Sequence, residues 1–158
     1  MTADQQRPAG APVAGETLYP RFSSQEFGRR WAAARALMAR EGVDVLVVHG
    51  ESSLNRHAQA DVLWLSGFLG NRQTYVVVGT AGAPVLFVHP HNHVPNAREM
   101  ASVEVRWGGP DAATAVAHHV RTLRAVPGTL GYVGPVPVQA RSGEHTSELQ
   151  SHVNLVCR

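Results

Sequence analysis

The run Val43-Asp44-Val45-Leu46-Val47-Val48 constrains this chain more than any other feature. It is β-branched and almost continuously apolar. A strand with one wet face would alternate apolar and polar residues, so this run predicts a strand covered on both faces, in a parallel or mixed sheet flanked by helices. The helix that feeds it lies directly upstream. Ser23 or Ser24 can cap it, Glu26 falls in its first turn, and Phe27, Trp31, Ala34, Leu37 and Met38 recur at helical spacing. Glu41-Gly42 ends that helix.

Downstream, a polar stretch from His49 to Ala60 precedes Asp61-Val62-Leu63-Trp64-Leu65-Ser66-Gly67-Phe68, where apolar residues run into a glycine suited to a turn. Thr74 to Val78 and Pro84 to Val88 read as strands joined by the short loop Gly79-Thr80-Ala81-Gly82-Ala83, which predicts an antiparallel hairpin. A helix is expected over His91 to Met100 and a strand over Val103 to Trp107. After Gly108-Gly109-Pro110, Asp111 can cap a helix from Ala112 to Arg124, with Ala115, Val116, His119, Val120 and Leu123 inward. Leu130 to Val133 is a last short strand. The fold class is therefore α/β, with a mixed sheet of about five strands flanked by helices.

Composition bounds the rest. The chain has 158 residues, 44% hydrophobic and 16% charged, which accommodates one ordinary domain. All 14 basic residues are Arg, scattered without a basic stripe, and the formal charge is only +2, so nucleic-acid binding is not indicated. No apolar stretch approaches the roughly 20 residues of a membrane-spanning helix. Residues 1–20 are polar and rich in Pro and Gly, without the apolar core of a secretory signal, and are expected to form a disordered arm on a cytoplasmic protein. Cys157, the single cysteine, has no partner for a disulfide or a cysteine metal site.

Residues 141–158, RSGEHTSELQSHVNLVCR, differ in character from what precedes them. They lack the Ala, Val, Gly and Pro bias and resemble the translation of a sequencing-library adapter, with Gly143 where that string carries Glu. The expectation is a non-native tail on a domain spanning residues 21–140, whose natural sequence continues past Ala140. The alternative is a native amphipathic helix capped by Ser142, with Leu149, Val153 and Val156 packing.

From Arg21 to Gln139 the order of features resembles the N-terminal domain of the creatinase, prolidase and Xaa-Pro aminopeptidase family. The resemblance rests on the helix leading into Gly42-Val43-Asp44-Val45-Leu46-Val47-Val48, on Asp61-Val62-Leu63-Trp64-Leu65-Ser66-Gly67-Phe68, and on the hairpin from Tyr75 to Val88. The family typically carries Tyr where this chain has Trp64. The resemblance implies a creatinase-like domain with ribonuclease-H-like layering. It also implies a separate pita-bread catalytic domain in which two Asp, one His and two Glu hold two divalent metal ions that activate water. No Asp follows Asp111 here, and the only later acids, Glu144 and Glu148, lie in the tail, so no ligand carries over and the fragment is expected to be inert. The implied role is accessory: assembly with the missing catalytic domain and a second subunit, as dimer or tetramer, and covering of the active site. Phe68 to Arg72 matches the segment that lines a neighbouring subunit's substrate pocket in creatinase-like members. Phe68 and Arg72 are thus candidate substrate contacts in trans, Arg72 through its planar fork.

Other constellations are weaker. His89-Pro90-His91-Asn92-His93 offers His89, His91 and His93 as metal candidates, but no carboxylate lies close in sequence and Pro90 interrupts the spacing. His118 and His119 sit on adjacent helical positions about 100° apart and cannot chelate together. Asp44 and Asp61 could hint at a nuclease pair, yet a carboxylate where Asp44 opens its strand can cap backbone amides, and no further acid completes a two-metal set. No phosphate-cradling glycine loop and no Gly-x-Ser-x-Gly elbow occur. The alternative function is a free-standing α/β binding module.

Overall fold

The computed structural model describes residues 21–52, 56–123 and 128–135 and the backbone of 155–157. The first helix, α1 (Ser24–Arg40), starts where Ser23 Oγ accepts the Glu26 N–H at 3.2 Å. It leads into β1 (Val45–Gly50). A 3₁₀ turn (Arg56–Gln59) then runs into α2 (Ala60–Ser66), followed by β2 (Thr74–Gly79), β3 (Val85–Val88), α3 (Val94–Met100), β4 (Glu104–Trp107), α4 (Ala112–Leu123), β5 (Leu130–Val133) and β6 (Leu155–Cys157).

The strands form one mixed sheet in the order β4-β3-β2-β1-β5-β6. β1 pairs antiparallel with β2, and β2 antiparallel with β3, with Val47 opposite Val77 and Val76 opposite Leu86. β3–β4 and β1–β5 are parallel; α3 joins β3 to β4, and α4 leads from β4 at one side of the sheet to β5 beside β1. The α/β class and the five expected strands hold. The sixth strand comes from residues 155–157, in the segment expected to be a non-native tail. At 155–157 that segment is a strand, with Val156 opposite Gly131, and not the alternative helix. The physical reason is the edge: β5 presents unpaired backbone groups that the apolar triplet Leu155-Val156-Cys157 can satisfy. Residues 1–20, 136–154 and 158 lie outside the described residues, so the expectations about the arm and the rest of the tail fall there.

Both faces of β1 are covered, as its unbroken apolar run requires. Val45 and Val47 pack with Val77, Phe87, Val116 and Val120 under α4. Val48 turns to the opposite layer, with Ala34, Met38, Val62, Val76 and Leu86 under α1, α2 and α3. Asp44 at the start of β1 accepts the Thr129 N–H at 2.7 Å, the backbone capping expected of it, and so ties β1 to the segment leading into β5.

Three side chains depart from the helical-face expectations. Leu37 and Leu123 are 48% and 42% exposed, at the rims of their apolar stripes. Arg30 is buried, because its guanidinium bonds Glu26 and the Trp64 carbonyl and lies 4.0 Å from the Phe22 ring centroid, so that charge is both paired and covered. His119 faces inward at 9% exposure and His118 is exposed, as adjacent helical positions demand.

Candidate functional site

The Ser66-Gly67-Phe68 turn that ends α2 has a definite construction. Ser66 Oγ donates to the Val62 carbonyl at 2.7 Å and accepts the Phe68 N–H at 3.1 Å. Gly67 takes the left-handed conformation at φ 78°, and its N–H bonds Leu63 O. A side chain here would be strained by that φ and would meet Phe27 Cζ at 2.9 Å. Phe68 then plunges into the core at 3% exposure. The ring, expected among the substrate contacts, anchors the turn and presents almost no surface in this chain. Leu69, Asn71 and Arg72 are the exposed members of the segment.

The chain past this anchor forms one wall of an open polar pocket of about 510 Å³, lined by Glu51, Ser52, Asn71, Arg72, Gln73 and His89. The topology assembles it. Glu51 and Ser52 follow the end of β1, His89 follows β3, and residues 71–73 lead into β2, which lies between those two strands. Arg72 makes no ion pair among the described residues, which leaves its fork available to an anionic group. Ser52 Oγ and His89 Nδ1, both in these walls, are buried without a hydrogen-bond partner among the described residues.

Beside the pocket lies a buried aromatic cluster that sequence inspection does not reveal. The His49 ring stacks on Tyr75 with centroids 4.4 Å apart. The Tyr132 hydroxyl donates to the Pro135 carbonyl at 2.8 Å, and His49 Nδ1 lies 2.7 Å from that hydroxyl and 3.1 Å from the same carbonyl. With the Tyr132 proton spent on Pro135, the arrangement suits an Nδ1–H donor, and Nε2 is buried without a partner among the described residues. Burial pushes the His49 pKa below the usual imidazole value, against the opposing pull of the Pro135 carbonyl and the Glu51 charge. Burial likewise pushes the Tyr132 and Tyr75 hydroxyls up.

The three histidines weighed as metal candidates take different surroundings. His89 joins the pocket wall, His91 is exposed and packs edge-on against Trp107 at 4.9 Å, and His93 ends the 3₁₀ turn before α3. Among the described residues no group of three or more His, Cys, Asp or Glu is placed to hold a metal ion. Asp61 is exposed in the first turn of α2 and Asp44 is engaged at Thr129, so the structure gives them no joint role. No helix among the described residues is long and apolar enough to cross a membrane.

Gln59 is the site residue that sequence reasoning missed. It falls in a stretch read as a polar loop, yet it is fully buried and bonds the backbone of Arg72. Only the glycines at 50 and 70, which leave room for it, hint at this in the sequence.

Three solved structures share this architecture. An Xaa-Pro aminopeptidase from Streptococcus pyogenes has TM-score 0.57 at 18% identity, over 75% of this chain and 82% of that one. The aminopeptidase P (Xaa-Pro aminopeptidase) of Streptococcus thermophilus has TM-score 0.53 at 16% identity, over 73% and 80%. The prolidase of Pyrococcus horikoshii has TM-score 0.52 at 13% identity; the match takes in 72% of this chain but 28% of the prolidase. At such identities these likenesses establish the fold. No curated protein matches the chain. The sequence model of the creatinase/prolidase N-terminal domain matches residues 30–140, most of the chain and the whole of the sheet from β1 to β5. With the strand order, the Ser-Gly-Phe turn and that match in agreement, the chain belongs to the creatinase/prolidase N-terminal domain family.

Proposed function

We propose that this chain is the accessory domain of a metal-dependent Xaa-Pro aminopeptidase or prolidase-like hydrolase. In this reading it helps assemble the oligomer and covers the active site of a neighbouring subunit. The observation that carries the reading is the unpaired Arg72 on the rim of a polar pocket, in the segment directly after the family's Ser-Gly-Phe turn. Arg72 is the residue this chain offers to a substrate carboxylate, by two parallel N–H···O bonds in a site that closure dries. The water-activating chemistry belongs to two divalent metal ions in a catalytic domain, and the described residues provide no such set. In this reading the chain's own contribution is binding and exclusion of water.

The test is the full-length protein assayed on Xaa-Pro peptides with Arg72→Ala beside the parent sequence. The reading expects KM to rise about tenfold or more, the loss of one charged hydrogen-bonded pair, with the oligomer by light scattering unchanged. Unchanged KM removes Arg72 from the substrate, and absence of any Xaa-Pro hydrolysis by the parent sequence contradicts the reading and favours a free-standing binding module.

A further inference from the structure

Gln59 closes the 3₁₀ turn ahead of α2, at 0% exposure, an unusual place for a primary amide. Its Nε2 donates to the Arg72 carbonyl at 2.7 Å, and its Oε1 accepts from the Thr74 hydroxyl at 2.7 Å. The Arg72 carbonyl can only accept, which fixes which end of the amide is nitrogen. Both ends of the side chain are thus spent on residues 72–74, thirteen and fifteen positions away. The surrounding sequence is cut to fit. A Cβ on Gly50 would collide with Gln59 Oε1, and one on Gly70 would lie 2.6 Å from Thr74 Cγ2 and 3.1 Å from Gln59 Oε1. Two glycines and a threonine therefore close around one amide at the base of the loop that carries Arg72.

We infer that Gln59 is a positioning residue, which clamps the backbone at Arg72 and so fixes where the guanidinium stands over the pocket. The clamp joins two parts of the pocket, because Gly50 is followed by Glu51 and Ser52 on one wall and Arg72 stands on another. Its functional meaning rests on the reading of Arg72 as a substrate contact.

The test compares Gln59→Met, which fills similar space without either bond, and Thr74→Val, which removes one bond, in the whole 158-residue chain. Val116→Ala serves as the control, since it destabilises the layer under α4 without touching the loop. Backbone ¹⁵N order parameters at Asn71, Arg72 and Gln73 are expected near the rigid value of about 0.85 in the parent chain and the control. They are expected below about 0.6 in Gln59→Met, and between the two in Thr74→Val, with β1 and β2 unchanged. A loop that is already mobile in the parent chain, or equally rigid in Gln59→Met, overturns the clamp. In the full-length hydrolase, Gln59→Met is expected to raise KM and leave kcat nearly intact. A loosened loop with unchanged KM upholds the clamp and overturns the placing of Arg72 at the substrate, so the two failures are distinguishable.

Discussion

Replacing Phe68 by Ala separates an anchor from a substrate contact. The ring is 3% exposed and packs in the layer formed by α1, α2 and α3 against the sheet. Full burial of such a side chain is worth about 1.5–3 kcal/mol in transfer alone. The cavity left behind adds to this, because the neighbours relax only partly, and Phe→Ala changes in cores cost about 3–5 kcal/mol in total. That is a large part of the roughly 5–15 kcal/mol that holds a domain of this kind together. Arg72→Ala, at an exposed position four residues along, should move stability by no more than about 0.5 kcal/mol. Urea unfolding followed by the fluorescence of Trp31, Trp64 and Trp107 reads both, and Phe68→Leu, which retains most of the volume, should fall between them at about 1.5 kcal/mol or less. A Phe68→Ala midpoint within about 1 kcal/mol of the parent, with unchanged slope, would refute the assignment of Phe68 to the core and restore it as a contact residue.

The left-handed glycines offer a matched pair. Gly67→Ala should cost about 2–4 kcal/mol, from its φ of 78° together with the crowding of Phe27, while Gly42→Ala, at φ 65° with open space around it, should cost only the conformational share of about 1–2 kcal/mol. Equal urea midpoints for the two would show that Phe27 yields freely. Acid should also weaken the fold in a window set by histidine. His49 and His119 are both held below the usual imidazole value, chiefly by burial, so these two rings stay neutral in the folded chain where they take up protons in the unfolded one. Stability is therefore expected to fall as pH drops through about 6.5, where the unfolded histidines protonate, and to level off once the lower folded pKa values are passed. His119→Gln should flatten that slope, and a midpoint that is constant between about pH 7 and 5 in the parent chain would contradict the burial argument.

What the sequence makes legible follows from how local the cause is. The run Val43 to Val48 announces a central strand because every side chain in it must be covered, whichever helices do the covering. Ser23, Glu26 and the helical spacing behind them mark the start of α1 because capping acts within one turn. The Ser-Gly-Phe turn is readable for the same reason, since its hydrogen bonds span at most four residues. The pocket is different. Glu51, Arg72 and His89 meet only because β1, β2 and β3 lie side by side, a matter of strand order that periodicity does not encode. Gln59 and Arg30 look like surface residues, and their burial depends on partners thirteen and thirty-four positions away. The rims of a helical stripe also depend on what packs against it, and Leu37 and Leu123 are only partly covered.

The role proposed for this chain requires a catalytic domain next to it. The most direct measurement is the genomic DNA sequence of the locus, read through the codons that follow Ala140. The accessory-domain reading predicts an open frame that continues into a domain carrying two Asp, one His and two Glu as metal ligands. A frame that encodes Arg141 to Arg158 and then stops would contradict it, and would leave this family member as a domain that works alone.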